Sequence, residues 1–106
     1  MPAYIVSMVT ITDPEIYKKY TDRTPPTLEK YGGKFLTRGE TVETLEGEIY
    51  DGRMVLIEFP SIARAKGWMA DPAYQEAMTF RHASSVMHRL LIQEGGDNMV
   101  NPDPKL

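Results

Sequence analysis

The sequence predicts an α+β domain: a four-stranded antiparallel sheet with helices on one face, its other face buried against a second copy of the chain. Three observations carry this. Segments with strand and helix character follow one another in the order strand, helix, strand, strand, helix, strand. The strands are apolar on both sides: Tyr4, Val6 and Met8 alternate with Ile5, Val9 and Ile11, and Met54 and Leu56 alternate with Val55, Ile57 and Phe59. An antiparallel sheet with one wet face carries polar residues at every second position. Finally, a chain of 106 residues supplies helices for one face only and is close to the lower limit of a self-sufficient core.

The first strand spans 3–11. Thr12-Asp13-Pro14-Glu15 then starts a helix, Asp13 as cap and Pro14 at the first helical position. Ile16, Tyr17, Tyr20, Leu28 and Tyr31 share one helical stripe. Pro25 and Pro26 predict a kink between two helical pieces, with Thr24 recapping the second. Gly32-Gly33 ends the element, the first glycine supplying a left-handed cap. Residues 34–39 and 42–46 read as one strand bent by a bulge at Gly39, and 47–52 as the turn into the strand 53–59. Ser61 caps a helix to about Ala70 that turns Ile62, Ala65 and Met69 inward. Asp71-Pro72 restarts a helix in which Tyr74, Ala77, Met78 and Arg81 fall at i, i+3, i+4 and i+7. Ser84-Ser85 breaks it, and 86–93 is the last strand. This order is the ferredoxin-like split β-α-β arrangement. The domain is expected to occupy 1–96, and 97–106, with two prolines and little to bury, reads as a mobile tail.

Composition narrows the function. With 42% hydrophobic and 25% charged residues the chain is of soluble globular type, and a net charge of −3 with dispersed basic residues argues against nucleic-acid or anionic-lipid partners. No apolar run reaches the length of a membrane span, and the first ten residues lack a secretory signal pattern, so the expected compartment is the cytoplasm. The absence of cysteine excludes disulfides, thiolate zinc sites, iron–sulfur clusters and cysteine nucleophiles.

Several segments form a pattern when taken in order: Ala3-Tyr4-Ile5-Val6, then 30–39 (KYGGKFLTRG), Leu45-Glu46-Gly47, Glu58-Phe59-Pro60-Ser61, Ala65, Trp68, Asp71-Pro72-Ala73-Tyr74-Gln75 and Arg81. Together they resemble the bacterial family known as domain of unknown function 1330, within the dimeric α+β barrel superfamily, over about residues 2–95. Met69 stands where that family suggests an aromatic residue, and His82 follows Arg81 where it suggests no particular residue. The resemblance implies a ferredoxin-like fold and a homodimer with sheets packed face to face. It implies no reaction: the wider superfamily holds cofactor-free oxygenases, isomerases, haem degraders and proteins without known chemistry, so function has to come from the site.

Arg81 is the sharpest candidate, a guanidinium on a stripe that should face the sheet, where it needs a carboxylate or a bound anion. Glu58, on a strand that should be central, is the expected partner facing the same interior region, paired with Arg81 or with Arg38. Unpaired, it would serve as a general base. Arg38, just before Gly39, is either re-aimed towards a site or an edge cation that discourages strand pairing. His82 is a second candidate for moving a proton. His82 and His88, six apart and without thiolates or an acidic cluster beside them, do not form a metal-ligand pattern, and no cofactor is expected. Trp68 and Tyr74, with Tyr4, Tyr17, Tyr20 and Tyr31, line either a small aromatic pocket or simply the core. No nucleophile elbow, phosphate loop or dinucleotide fingerprint is present. The expected function is binding or conversion of a small organic molecule, with organic anions among the candidates. The alternative is a non-catalytic dimer whose buried arginine and glutamate form ion pairs.

Overall fold

In the computed structural model, which describes residues 1–96, the elements are β1 (Ala3–Ile11), α1 (Pro14–Lys30), β2 (Lys34–Arg38), β3 (Arg53–Phe59), α2 (Ile62–Ala70), α3 (Pro72–Ser84) and β4 (Ser85–Glu94). The expected tail, 97–106, lies outside the described residues. The four strands form one antiparallel sheet in the order β2-β3-β1-β4, the ferredoxin-like arrangement with its second helical segment in two pieces.

Alternation along β1 and β3 sorts the residues into two faces. Ala3, Ile5 and Val9 with Val55, Ile57 and Phe59 are buried, and all but Val9 pack with Leu28 of α1, Ala65 and Trp68 of α2 and Tyr74 of α3 into one core. Tyr4, Val6, Met8, Met54 and Leu56 take the other face, where they are only half-buried. Leu91, opposite Val6, is 48% exposed there. Among the described residues this largely apolar sheet surface has no helix over it, as the two-sided pattern predicts.

The helix starts follow the sequence. Asp13 accepts from the Ile16 amide, Ser61 from the Arg64 amide, and Asp71 from the amides of Ala73 and Tyr74. Gly32, at φ +72°, closes α1 in the left-handed region.

Two expectations are corrected. Pro25 and Pro26 do not divide α1, which runs unbroken through both. Proline at 25 removes the amide that would bond to the Thr21 carbonyl, and a guanidinium N–H of Arg38 donates to that oxygen instead, at 3.1 Å. The Thr24 and Thr27 hydroxyls also donate to the carbonyls of Tyr20 and Thr24, reinforcing the same turns. A side chain thus satisfies the carbonyl that Pro25 leaves open, and the helix continues. Secondly, 42–46 is not a strand. β2 ends at Arg38, and Gly39, at φ +86°, opens the long loop to β3. The bulge in β2 lies at Leu36, between Phe35 opposite Ile57 and Thr37 opposite Leu56. Phe35 and Arg38, three apart, would point to opposite faces in a regular strand. The extra residue turns both towards the helices.

Candidate functional site

Between the helices and the sheet lies a narrow cavity of about 30 Å³. The sheet contributes Ile5, Ser7, Arg53, Val55, Ile57 and Leu90 to its wall, with Phe35 and Arg38 from β2. Helix α1 supplies Tyr17, Tyr20, Thr21 and Thr24, α2 supplies Trp68, and α3 supplies Tyr74 and Arg81. Tyr17, Thr21, Arg38 and Arg53 also line a wider, open vestibule of about 370 Å³, whose outer wall is Ile11, Pro14 and Lys18. The cavity therefore has a mouth, at the end of the sheet where β2 meets α1.

The helical stripe on α3 places Arg81 as its spacing requires: Tyr74, Ala77 and Arg81 are all buried, Arg81 at 4% exposure. Its guanidinium carbon lies 5.7 Å from the centre of the Tyr20 ring. Arg53 enters from the sheet. It is not among the residues expected above, yet it shares the parity of Val55, Ile57 and Phe59 and so belongs to the helix-covered face. It reaches the cavity past Gly39, where any Cβ would collide with its guanidinium. The Nε atoms of Arg53 and Arg81 are both buried without a hydrogen-bond partner, and neither residue has an ion pair among the described residues. Among the described residues no aspartate, glutamate or histidine lines the cavity. Arg81 is buried and Arg53 half-buried beside the Tyr17 hydroxyl. Guanidinium groups drawn out of water without a counter-ion are costly, and among the described residues this wall presents positive charge with no carboxylate against it.

Around these cations are phenols. The hydroxyls of Tyr20 and Tyr74 share a hydrogen bond of 2.9 Å. Burial pushes the Tyr20 phenol well above its ordinary value, with Tyr74 adding to the effect, and burial likewise raises Tyr17 against the opposing pull of Arg53 and Arg81. Both remain neutral donors throughout the physiological range. Trp68 is fixed beneath them: its indole N–H donates to Thr27 Oγ1 at 3.0 Å, and its ring lies 3.8 Å, centre to centre, from that of Tyr74. At the mouth, the Arg38 guanidinium stands 4.3 Å over the Phe35 ring while it holds the Thr21 carbonyl.

The structure brings together Arg81, Arg38, Tyr74 and Trp68 from the sequence-predicted set. It does not bring Glu58 or His82 to them. Glu58 lies on the opposite sheet face with Met54 and Leu56, where its carboxylate is 3.3 Å from Lys34 Nζ. Its expected pairing with Arg81 is therefore corrected. The alternation was read properly, but helices cover the Val55 face. His82 is exposed on the outer side of α3, and His88 is exposed on β4, its Nε2 2.6 Å from the Thr10 hydroxyl. Among the described residues no cluster of three metal-ligating side chains occurs.

Solved structures share this frame. A protein of unknown function from Rhodopseudomonas palustris is 26% identical over 90% of this chain and 82% of its own, with a TM-score of 0.71. SnoaB from Streptomyces nogalater, a cofactor-independent oxygenase, is 14% identical over 90% of this chain and 93% of its own, with a TM-score of 0.64. A dimeric protein of unknown function and ferredoxin-like fold from Bacteroides fragilis is 11% identical over 89% and 96%, with a TM-score of 0.59. The last two likenesses are of fold alone. No curated protein matches the chain. The match that extends over nearly the whole domain, residues 2–95, is to the family described as domain of unknown function (DUF1330), and the chain belongs to that family.

Proposed function

We propose that this protein binds a small organic anion in the cavity between helices and sheet, as a cytoplasmic homodimer and without a bound cofactor. One observation carries the reading: among the described residues the Nε donors of Arg53 and Arg81 are buried in the cavity wall with no acceptor, and no carboxylate lines that wall. An anion entering there satisfies both donors and neutralises charge that no described residue compensates. The ion-pair alternative is weakened, since Glu58 is engaged with Lys34 on the other face.

If binding leads to a reaction, the wall favours one kind of step. Guanidinium groups and neutral phenols stabilise developing negative charge on a substrate oxygen, as in enolate formation. With Glu58 and His82 outside the cavity, no carboxylate or imidazole among the described residues stands in the wall to take a proton. Catalysis would then draw on the acidity of the substrate itself. The likeness of fold to a cofactor-independent oxygenase is compatible with such chemistry on this scaffold.

The homodimer rests on the bare apolar sheet face and on the family resemblance. The test of the site is native mass spectrometry and crystallography of the purified chain. A co-purified organic acid, with density beside Arg81, is the expected result. Failure of a broad panel of small carboxylates, enols and phosphorylated compounds to bind by calorimetry would remove the proposal.

A further inference from the structure

Resting on the anion-binding reading, we infer that the ligand is a monocarboxylic acid bound carboxylate-first, with its carbon body held in the vestibule rather than among the core aromatics. The two volumes set this orientation. The inner cavity, about 30 Å³, is close to room for two waters, each needing about 10–15 Å³. A planar carboxylate presents two oxygens and matches that space. A tetrahedral phosphate or phosphonate presents three oxygens around its free end and does not. The guanidinium edge also favours carboxylate, because its parallel N–H groups meet two coplanar oxygens.

The body has one place to go. A benzene ring needs a cavity of about 150 Å³, which the inner space lacks and the vestibule of about 370 Å³ exceeds. The vestibule offers a carbon skeleton Ile11, Pro14 and Tyr17, beside the polar Lys18, Thr21, Arg38 and Arg53. Arg81 lines only the inner cavity, whereas Arg53 lines both spaces. The charged end therefore lies between Arg81 and Arg53, and Arg38 stands over the point where the body emerges. The same geometry makes Arg81 the residue that selects the acid group, and Ile11, Pro14 and Tyr17 those that select the body.

The experiment uses the full chain and three probes that differ at one end: 4-fluorophenylacetate, 4-fluorobenzylphosphonate and 4-fluorophenylacetamide. Fluorine NMR gives each affinity, and fluorine–proton Overhauser contacts place the ring. The carboxylate is expected to bind at least about tenfold more tightly than the other two, with ring contacts to Ile11 and Pro14. Arg81→Lys, which keeps a cation but loses the fork, should remove most of that preference while near-ultraviolet circular dichroism stays native. A phosphonate that binds as tightly as the carboxylate overturns the selectivity and leaves anion binding standing. Ring contacts to Trp68 and Leu90 in the wild-type chain overturn the orientation. An amide as tight as both anions overturns the anion-binding reading itself.

Discussion

Arg53 and Arg81 approach one cavity from opposite walls, the first from the sheet and the second from α3, and the Nε of each is buried without an acceptor. Positive charge held in this way destabilises a fold unless something outside the chain offsets it, so the arrangement trades stability for binding. Arg81→Met keeps the volume of the stem and removes the charge. The substituted protein should melt at the same temperature or higher, by the equivalent of about 1 kcal/mol or more, and should lose anion binding. Calorimetric melting beside a carboxylate titration checks both. A drop of several degrees in the melting temperature would place a counter-charge near Arg81 and contradict the reading.

Gly39 matters to Arg53 twice over. Its φ of +86° lies where a side chain is strained, and a Cβ there would meet the guanidinium. Gly39→Ala should therefore cost about 1–2 kcal/mol and push Arg53 away from the cavity, so that stability and anion affinity fall together. Gly47, also at positive φ but with open space around it, is the control. Gly47→Ala should cost stability alone.

Asp71 joins three elements. Its carboxylate caps α3 through the Ala73 and Tyr74 amides and accepts from Lys30 Nζ at 2.9 Å and the Tyr31 hydroxyl at 2.8 Å. The hydrogen bonds from Lys30 and then Tyr31 hold its carboxyl at about 2, below the ordinary 3.8. The folded form therefore binds this proton less readily than the unfolded chain. The stabilisation is complete above about pH 4 and is lost as pH falls through about 2. Asp71→Asn preserves the cap and removes the charge, so its deficit relative to wild type should shrink steadily across that window. Urea melts at intervals from pH 5 to pH 2 measure it, and a deficit independent of pH would show that the charge contributes nothing.

The bare sheet face gives a prediction about association. Val6, at the centre of β1, stands among Met8, Leu56 and Leu91 on that face. An obligate sheet-to-sheet interface buries about 2,000 Å² or more in total. Val6→Glu should convert a dimer into a monomer and lower the melting temperature at the same time, because an unpaired charge in such an interface costs several kcal/mol. Light scattering at micromolar concentration decides it, and a monomeric wild-type chain would refute the interface.

How far the sequence led differs from residue to residue, for physical reasons. The Asp-Pro helix starts and the α3 stripe that buries Arg81 were legible, since caps and 3.6-residue periodicity are local. Arg53 shares its parity with Val55 and Ile57, but at the first position of β3 a charged residue gives the same signal as a solvated strand end. Glu58 was harder. Alternation shows that Glu58 and Arg53 face opposite ways, but when both faces are apolar it does not say which one meets the helices. The bulge at Leu36 left no local mark, because register is set by the partner strand. The unbroken α1 was hidden for a similar reason: the group that replaces the proline amide, Arg38, is distant in sequence from Pro25.

That replacement is itself testable. The Thr21 carbonyl lacks its helical donor because residue 25 is proline, and Arg38 supplies one at 3.1 Å. Pro25→Ala restores the amide, so the carbonyl no longer depends on Arg38. In the wild-type background Arg38→Ala leaves the carbonyl without its donor and should cost about 1 kcal/mol, the scale of one such bond. In the Pro25→Ala background it should cost clearly less, and the difference is the coupling between two residues that do not touch through their side chains. The cycle also reports on the mouth of the cavity. With the carbonyl satisfied from within the helix, Arg38 is free to turn towards a bound anion, so Pro25→Ala should strengthen carboxylate binding where Arg38→Ala weakens it. Denaturant melts and carboxylate titrations on the four proteins measure both quantities. Strict additivity in the melts would mean that Arg38 does not substitute for the missing amide.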